Sequence, residues 1–346
     1  MPEPEREMRS IICVHESFDQ QWPWSADYWR TCWQASGCEL YRSEAPDARV
    51  LQFVRNPETV QRLVLLGFPA ESADLAQFTK LDQLFYTPHG YFVPLDQMPA
   101  GIHQLVAQGI EVVLPRADLF WGQSVAEFGL ALTLCGLRRI PQLHHEMMQS
   151  LEPWNYRAGI GKPGQRGGQY GDDSRFTNGT IAGKRIRIVG AGNIGARYAK
   201  WCAVLGADVA VWDPYAPDAT FSAAGAKRCF HLSELVREAE IFVPMVPLKE
   251  DTRGLVPAKL INALPYGSLV VLVTRAAIVD TEALYRRVLN NELSLAADVF
   301  DSEPVPVGHQ LLGRENVVHT PHNAGRTKDA NISWVDDQIA RFKPGN

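Results

Sequence analysis

Two histidines, His319 and His322, stand three residues apart in "NVVHTPHNAGRT", after an apolar run. At that spacing the imidazoles suit a metal clamp, an acid–base catalyst beside a bystander, or plain packing. Upstream lie Arg275 in "VVLVTRAAIVDTEAL" and the acids Asp298 and Glu303 in "LAADVFDSEPVP". A guanidinium is a planar fork that binds a carboxylate with two hydrogen bonds and polarises an adjacent carbonyl. An imidazole gives or takes a proton near neutral pH, and a glutamate on its far nitrogen fixes its tautomer and favours its protonated form. A metal pair at His319 and His322 would need further ligands, and no nearby Cys, Asp or Glu supplies a credible set.

A second motif precedes these residues. "KRIRIVGAGNIGARYAKWCAVLGADVAVWDP" spaces Gly190, Gly192 and Gly195 as G-x-G-x-x-G, between an apolar strand (186–189) and a helix (194–205). A second strand then ends in Asp213, 18 residues past Gly195. That βαβ context is a dinucleotide fingerprint. Gly190 allows the tight turn, Gly192 lets the backbone approach a pyrophosphate, and Gly195 lets helix and strand pack closely. Asn193 and Ile194 belong to the same turn, whose helix presents unpaired N–H groups to an anion. Asp213 can accept hydrogen bonds from both adenosine ribose hydroxyls and would repel a 2'-phosphate, which favours NAD over NADP. A ligand-free glycine turn and a methyltransferase turn are the competing readings.

The segments around Arg275, Glu303 and His322 occur in the order of the D-isomer-specific 2-hydroxyacid dehydrogenase family, which the chain resembles from about residue 110 to 340. "VPLKEDTRGLV" and "SVAEFGLALTL" are also similar to the family's. The resemblance implies an NAD-binding domain inserted into a smaller substrate domain, with the last helix crossing back. It implies catalytic roles for Arg275, Glu303 and His322, with Asp298 near the nicotinamide amide. Pro247, Thr252, Thr274 and Gly325 are implied cofactor contacts. Reduction of a 2-oxo acid needs a carboxylate anchor, a proton for the carbonyl oxygen and a hydride from nicotinamide. Arg275 and His322 supply the first two. The expected partners are therefore a small 2-oxo or 2-hydroxy acid and, by resemblance, a second copy of the chain in a homodimer.

The sequence departs from the family's pattern in several places. Leu272 stands where the family usually has Asn, Ala276 replaces a Gly, and Met245 replaces a frequent His. Alanine uses positive φ less freely than glycine, so the backbone beside Arg275 is expected to shift. Where the family has a glycine-rich substrate loop, the chain reads "TPHGYFVPLD", and by position His89, Gly90 and Tyr91 face the substrate. Glu303 argues against formate chemistry, which pairs the histidine with Gln in relatives. Phosphite-type oxidation uses a similar constellation, and a non-catalytic NAD-sensing interaction module is the alternative of a different class.

Positioning these residues takes two domains, which 346 residues can supply. Strand-length apolar runs at 11–14, 62–67, 83–87 and 111–115 alternate with helical patterns at 26–35 and 99–108. That reads as a flavodoxin-like parallel unit. A long helical pattern at 122–149 carries Pro141 as a kink or break. From 181 stronger runs resume, "RIRIVG", "DVAVWD", "EIFVPMV", "SLVVLVT", "LSLAADVF" and "NVVHT", as a Rossmann-type sheet. The expected fold class is α/β with two doubly wound parallel sheets: a substrate-binding domain of 1–120 completed by 321–346, and an NAD-binding domain of 121–320. The glycine-rich stretch 151–180 reads as a long loop. Trp22, Trp24, Trp29 and Trp33 fall within 12 residues, and Trp29 and Trp33 share a helical face that reads as core.

Composition limits the remaining options. A net charge of -5 provides no basic field for nucleic acid. No apolar run reaches the roughly 18–20 residues of a membrane span, and "MPEPEREMRS" lacks the apolar stretch of a secretory signal. Six scattered cysteines without a CxxC pair suit reduced thiols in a cytoplasm.

Overall fold

The computed structural model describes residues 8–34, 37–45, 47–116, 121–154 and 172–342. The chain forms two compact units, Met1–Phe120 with Arg326–Asn346, and Trp121–Gly325. Residues 321–325, expected with the first unit, lie in the second. The reason is local: the backbone N–H groups of Asn323 and Ala324 bond to Asp298, a residue of the second unit.

The first unit is a parallel sheet of β1 (Ser10–His15), β2 (Glu39–Ser43), β3 (Arg62–Leu66), β4 (Gln83–Thr87) and β5 (Glu111–Val113), in the order β2-β1-β3-β4-β5. This is the flavodoxin-like order, and its helices are α1 (Glu16–Gln21), α2 (Ser25–Cys32), α3 (Ser72–Leu75) and α4 (Ala100–Ala107). β3 and β4 are buried along their whole lengths, which is why they read as continuous apolar runs. β2, "ELYRS", is a half-exposed edge strand whose polar alternation gave no such run. The C-terminal helix Lys328–Ile339 packs against α2 and buries Trp334 completely.

The second unit is a seven-stranded parallel sheet, ordered β12-β11-β10-β9-β6-β7-β8. Its strands are β6 (Arg185–Val189), β7 (Asp208–Trp212), β8 (Lys227–Arg228), β9 (Ile241–Pro244), β10 (Leu269–Leu272), β11 (Ser294–Ala297) and β12 (Val317–His319). Its helices are α5 (Gly122–Arg138), α6 (Ile140–Met147), α7 (Asn193–Val204), α8 (Asp218–Ala223), α9 (Leu232–Arg237), α10 (Ala258–Asn262) and α11 (Thr281–Leu289). Alternate residues of β10 face opposite layers: Leu269 and Val271 join the core beside α5 and α7, whereas Val270 and Leu272 join that beside α9 to α11. Leu272 is thus a core residue, 1% exposed. The break in the long helical pattern comes at Arg139, in the left-handed region at φ 50°, rather than at Pro141. Pro141 sits in the first turn of α6, where its missing N–H costs nothing. Of the loop expected at 151–180, residues 155–171 lie outside the described residues.

Strand order reverses beside β6, with β7 and β8 on one side and β9 to β12 on the other. In open α/β sheets such a switch point opens a crevice at the carboxyl ends of the strands. Gly190–Gly195, Asp213, Thr274–Arg275, Asp298–Glu303 and Thr320–His322 all follow carboxyl ends of this sheet.

Candidate active site

The glycine turn is built by close approach. Gly190 has φ +102°, its N–H donates to the Trp212 carbonyl at 2.8 Å, and a Cβ there would lie 2.7 Å from Val246. A Cβ on Gly195 would lie 2.1 Å from the Gly190 carbonyl oxygen, so no side chain fits between helix and turn. Gly192 differs: it caps the N-terminus of α7, and a Cβ there meets nothing within 4 Å. Asn193, the first residue of α7, packs its amide against Gly122 at the start of α5.

Asp213 is more committed to its own chain than its sequence position suggests. One carboxylate oxygen accepts the Ala191 N–H at 2.7 Å, and the other accepts those of Tyr215 and Ala216 at 2.8 and 3.0 Å. A carboxylate has about four acceptor positions, so roughly one is left for a ribose hydroxyl rather than two. Pro247 and Thr252 are joined as well: the Thr252 hydroxyl donates to the Pro247 carbonyl at 2.6 Å and accepts the Lys249 N–H at 2.7 Å. Met245 is buried beneath the turn, against Gly129 and Gly190.

The acid–base pair meets directly. His322 Nδ1 lies 2.6 Å from Glu303 Oε2, and the other oxygen of Glu303 accepts the Phe300 N–H at 2.8 Å. Both side chains are 33% exposed. His322 is held at φ 53°, a conformation that costs an L-residue energy and is retained where surrounding structure enforces it. The enforcement comes from Asp298, whose side chain is fully buried. It accepts the Thr320 hydroxyl at 2.6 Å and the N–H groups of Asn323 and Ala324 at 3.0 and 2.9 Å, and so clamps both flanks of His322. Thr320 was not singled out in the sequence, since its partner lies 22 residues away. Asp298 itself is committed to the loop, as a strand-end cap would be.

Arg275 follows β10 with its side chain exposed, and donates to its neighbour's carbonyl, that of Thr274, at 2.7 Å. Among the described residues no carboxylate pairs with it. Thr274 is buried, with its hydroxyl on the Pro244 carbonyl at 3.3 Å. Ala276 opens a 3-10 turn, Ala276–Ile278, and is not among the residues with positive φ. The backbone beside Arg275 therefore does not require glycine, and the expected shift has no steric cause.

Gly325 follows the histidine loop and faces Val125 and Trp121, while the Ser124 hydroxyl donates to the Ala324 carbonyl at 2.5 Å. His319 ends β12, and desolvation lowers its pKa. Among the described residues no group of three His, Cys, Asp or Glu could hold a metal.

In the first unit, His89, Gly90 and Tyr91 form the loop after β4. His89 and Tyr91 are exposed, with ring centroids 5.4 Å apart, and Gly90 is buried at φ +84°. Desolvation lowers the His89 pKa.

The family model described as D-isomer specific 2-hydroxyacid dehydrogenase, NAD binding domain, matches residues 130–324. The chain belongs to that family. Among curated D-2-hydroxyacid dehydrogenase relatives, it is 28% identical to the D-3-phosphoglycerate dehydrogenase of Methanocaldococcus jannaschii over 60% of this chain and 36% of that protein. It is 33% identical to the (S)-sulfolactate dehydrogenase of Chromohalobacter salexigens over 46% and 53%, and 29% identical to the hydroxypyruvate reductase of Thermotoga maritima over 60% and 61%. The matches thus span between about a third and three fifths of these relatives' lengths. The fold is that of the NAD-complexed D-isomer specific 2-hydroxyacid dehydrogenase from Lactobacillus delbrueckii ssp. bulgaricus, with TM-score 0.69, 15% identity, and coverage of 96% of this chain and 95% of that one.

NAD is accordingly the cofactor of the second unit. The residues fit it: the open space over Gly192 at the head of α7 suits a pyrophosphate, and Asp213 directly follows β7, where a ribose would lie. Among the described residues no helix is long and apolar enough to cross a membrane.

Proposed function

We propose that this dehydrogenase reduces a 2-oxo acid to its D-2-hydroxy acid, and catalyses the reverse, with His322 as the acid–base group. The observation that carries the reading is the 2.6 Å contact between His322 Nδ1 and Glu303. With Nδ1 bonded to the carboxylate, Nε2 is the nitrogen left to give a proton to the substrate oxygen, or to take it back. Arg275, which no carboxylate among the described residues neutralises, anchors the substrate carboxylate by its two-pronged fork. Its charge also polarises the neighbouring carbonyl. Bound NADH supplies the hydride. The loop His89–Tyr91 contributes the remaining substrate contacts.

The curated relatives act on small, oxygen-rich acids by their names, which include a hydroxypyruvate reductase and a glyoxylate reductase. A substrate of that size is the first to try. The exposed apolar residues Ile140, Met147, Met148 and Leu151, on and after α6, support assembly as a homodimer through that face. Chiral analysis of the product made from NADH and a 2-oxo acid tests the reading: D-2-hydroxy acid is expected, and an L-product contradicts it. Light scattering of the purified protein tests the dimer, and a monomer mass would remove it.

A further inference from the structure

Two tryptophans that core packing alone does not explain converge on the loop after β4. The Trp22 indole N–H donates to the His89 carbonyl and the Trp334 indole N–H donates to the Gly90 carbonyl, each at 3.2 Å. The two rings stack on each other, 6.1 Å apart and 14° from parallel, and are 3% and 0% exposed. Trp22 follows α1, whereas Trp334 is on the C-terminal helix, 244 residues from the carbonyl it bonds. A Cβ on Gly90 would lie 2.4 Å from the Trp22 indole nitrogen, so a glycine is needed for the loop to reach this floor.

From this arrangement we infer that Trp22 and Trp334 are positioning residues that aim the substrate loop. In a trans peptide the C=O and the next N–H point in opposite directions. With the Gly90 carbonyl drawn down onto Trp334, the Tyr91 N–H is turned away from the buried floor. There it donates to His89 Nδ1 at 3.3 Å, between two exposed side chains. The indoles thus fix the orientation of the Gly90–Tyr91 peptide and, through its N–H, the His89 ring on the exposed edge of the loop. Trp22 also meets the Tyr91 ring edge-on at 5.9 Å, so one residue contacts both the loop backbone, at His89, and the Tyr91 side chain. The assignment rests on the reading that this loop contacts the 2-oxo acid.

The test is steady-state kinetics of Trp22→Phe, Trp334→Phe and the double variant, with NADH affinity and thermal midpoint measured alongside. Phenylalanine keeps an aromatic ring, removes the indole N–H and leaves a small cavity, so some fall in thermal midpoint accompanies either outcome and KM is the deciding readout. Loss of one hydrogen bond should raise KM for the 2-oxo acid about fivefold to tenfold, leaving kcat within about twofold and NADH affinity unchanged. A purely structural role predicts a lower thermal midpoint with KM unmoved. KM unchanged in both single variants, beside an active wild type, overturns the assignment alone. A wild type inactive on every 2-oxo acid overturns the assignment and the proposed function together. If one variant does not fold, the other reads independently, because the two indoles bond different carbonyls.

Discussion

Asp298 and His322 never touch through their side chains, yet the first dictates the backbone of the second. Three hydrogen bonds from Thr320, Asn323 and Ala324 converge on one buried carboxylate, and His322 stands between them at φ 53°. The histidine's approach to Glu303 is thus the consequence of a clamp at the ends of two neighbouring strands, β11 and β12.

If His322 moves the proton, His322→Ala should lower kcat by about two to four orders of magnitude, the usual worth of general acid–base catalysis. NADH affinity should not change, because the glycine turn is untouched. Fluorescence titration with NADH and single-turnover rates check both halves. An active His322→Ala enzyme would remove the residue from the mechanism.

Arg275→Lys should raise KM for the 2-oxo acid and lower kcat together. A point charge replaces a fork that holds the carboxylate at two atoms and polarises the carbonyl beside it. Kinetics indistinguishable from the wild type would mean that the carboxylate is anchored elsewhere.

Gly192→Ala and Gly195→Ala should fail in different ways. At Gly195 a methyl would overlap the Gly190 carbonyl, and overpacking of that kind costs about 1–3 kcal/mol, or roughly 2–4 °C of thermal midpoint per kcal/mol. At Gly192 the methyl meets nothing in the protein, so the midpoint should hold while NADH binding weakens. Equal losses of stability in the two variants would contradict the packing described.

Asp208 gives a pH signature. Its bond with Lys227, and then that with Arg187, holds its carboxyl below the usual carboxylate range. A depressed folded pKa adds stability above the unfolded value and loses it as pH falls through the folded one. The Lys227 side of the pair is solvated and Asp208 itself is part-exposed, although Arg187 is buried, so the Lys227 contact contributes about 0.2–1 kcal/mol. Asp208→Asn should therefore melt slightly earlier than wild type at neutral pH and together with it once the pH is below the carboxylate's folded range. A gap that persists in acid would point to lost packing instead.

Much of this was legible in the sequence because it is local. The glycine spacing, the strand before it and the acid after it lie within one βαβ unit, and the buried strands announce themselves as apolar runs. β2 and β8 were not legible. One is a polar edge strand and the other only two residues long, Lys227–Arg228, and neither leaves an apolar run. The order Arg275, Glu303, His322 suggested a constellation, but not that Asp298 would spend both oxygens on the histidine loop. Nor could spacing show that Trp334 reaches Gly90, since contacts across 244 residues follow from the fold and not from periodicity. Ala276 shows the reverse: the sequence suggested a shifted backbone beside Arg275, and a 3-10 turn accepts alanine at that place.

The most direct test of the central claim is the steady-state rate of NADH oxidation by the wild-type protein with glyoxylate, hydroxypyruvate, pyruvate and branched-chain and aromatic 2-oxo acids, each repeated with NADPH. The account predicts turnover with at least one member and a preference for NADH. Tight NADH binding with no oxidation across the whole panel would contradict it.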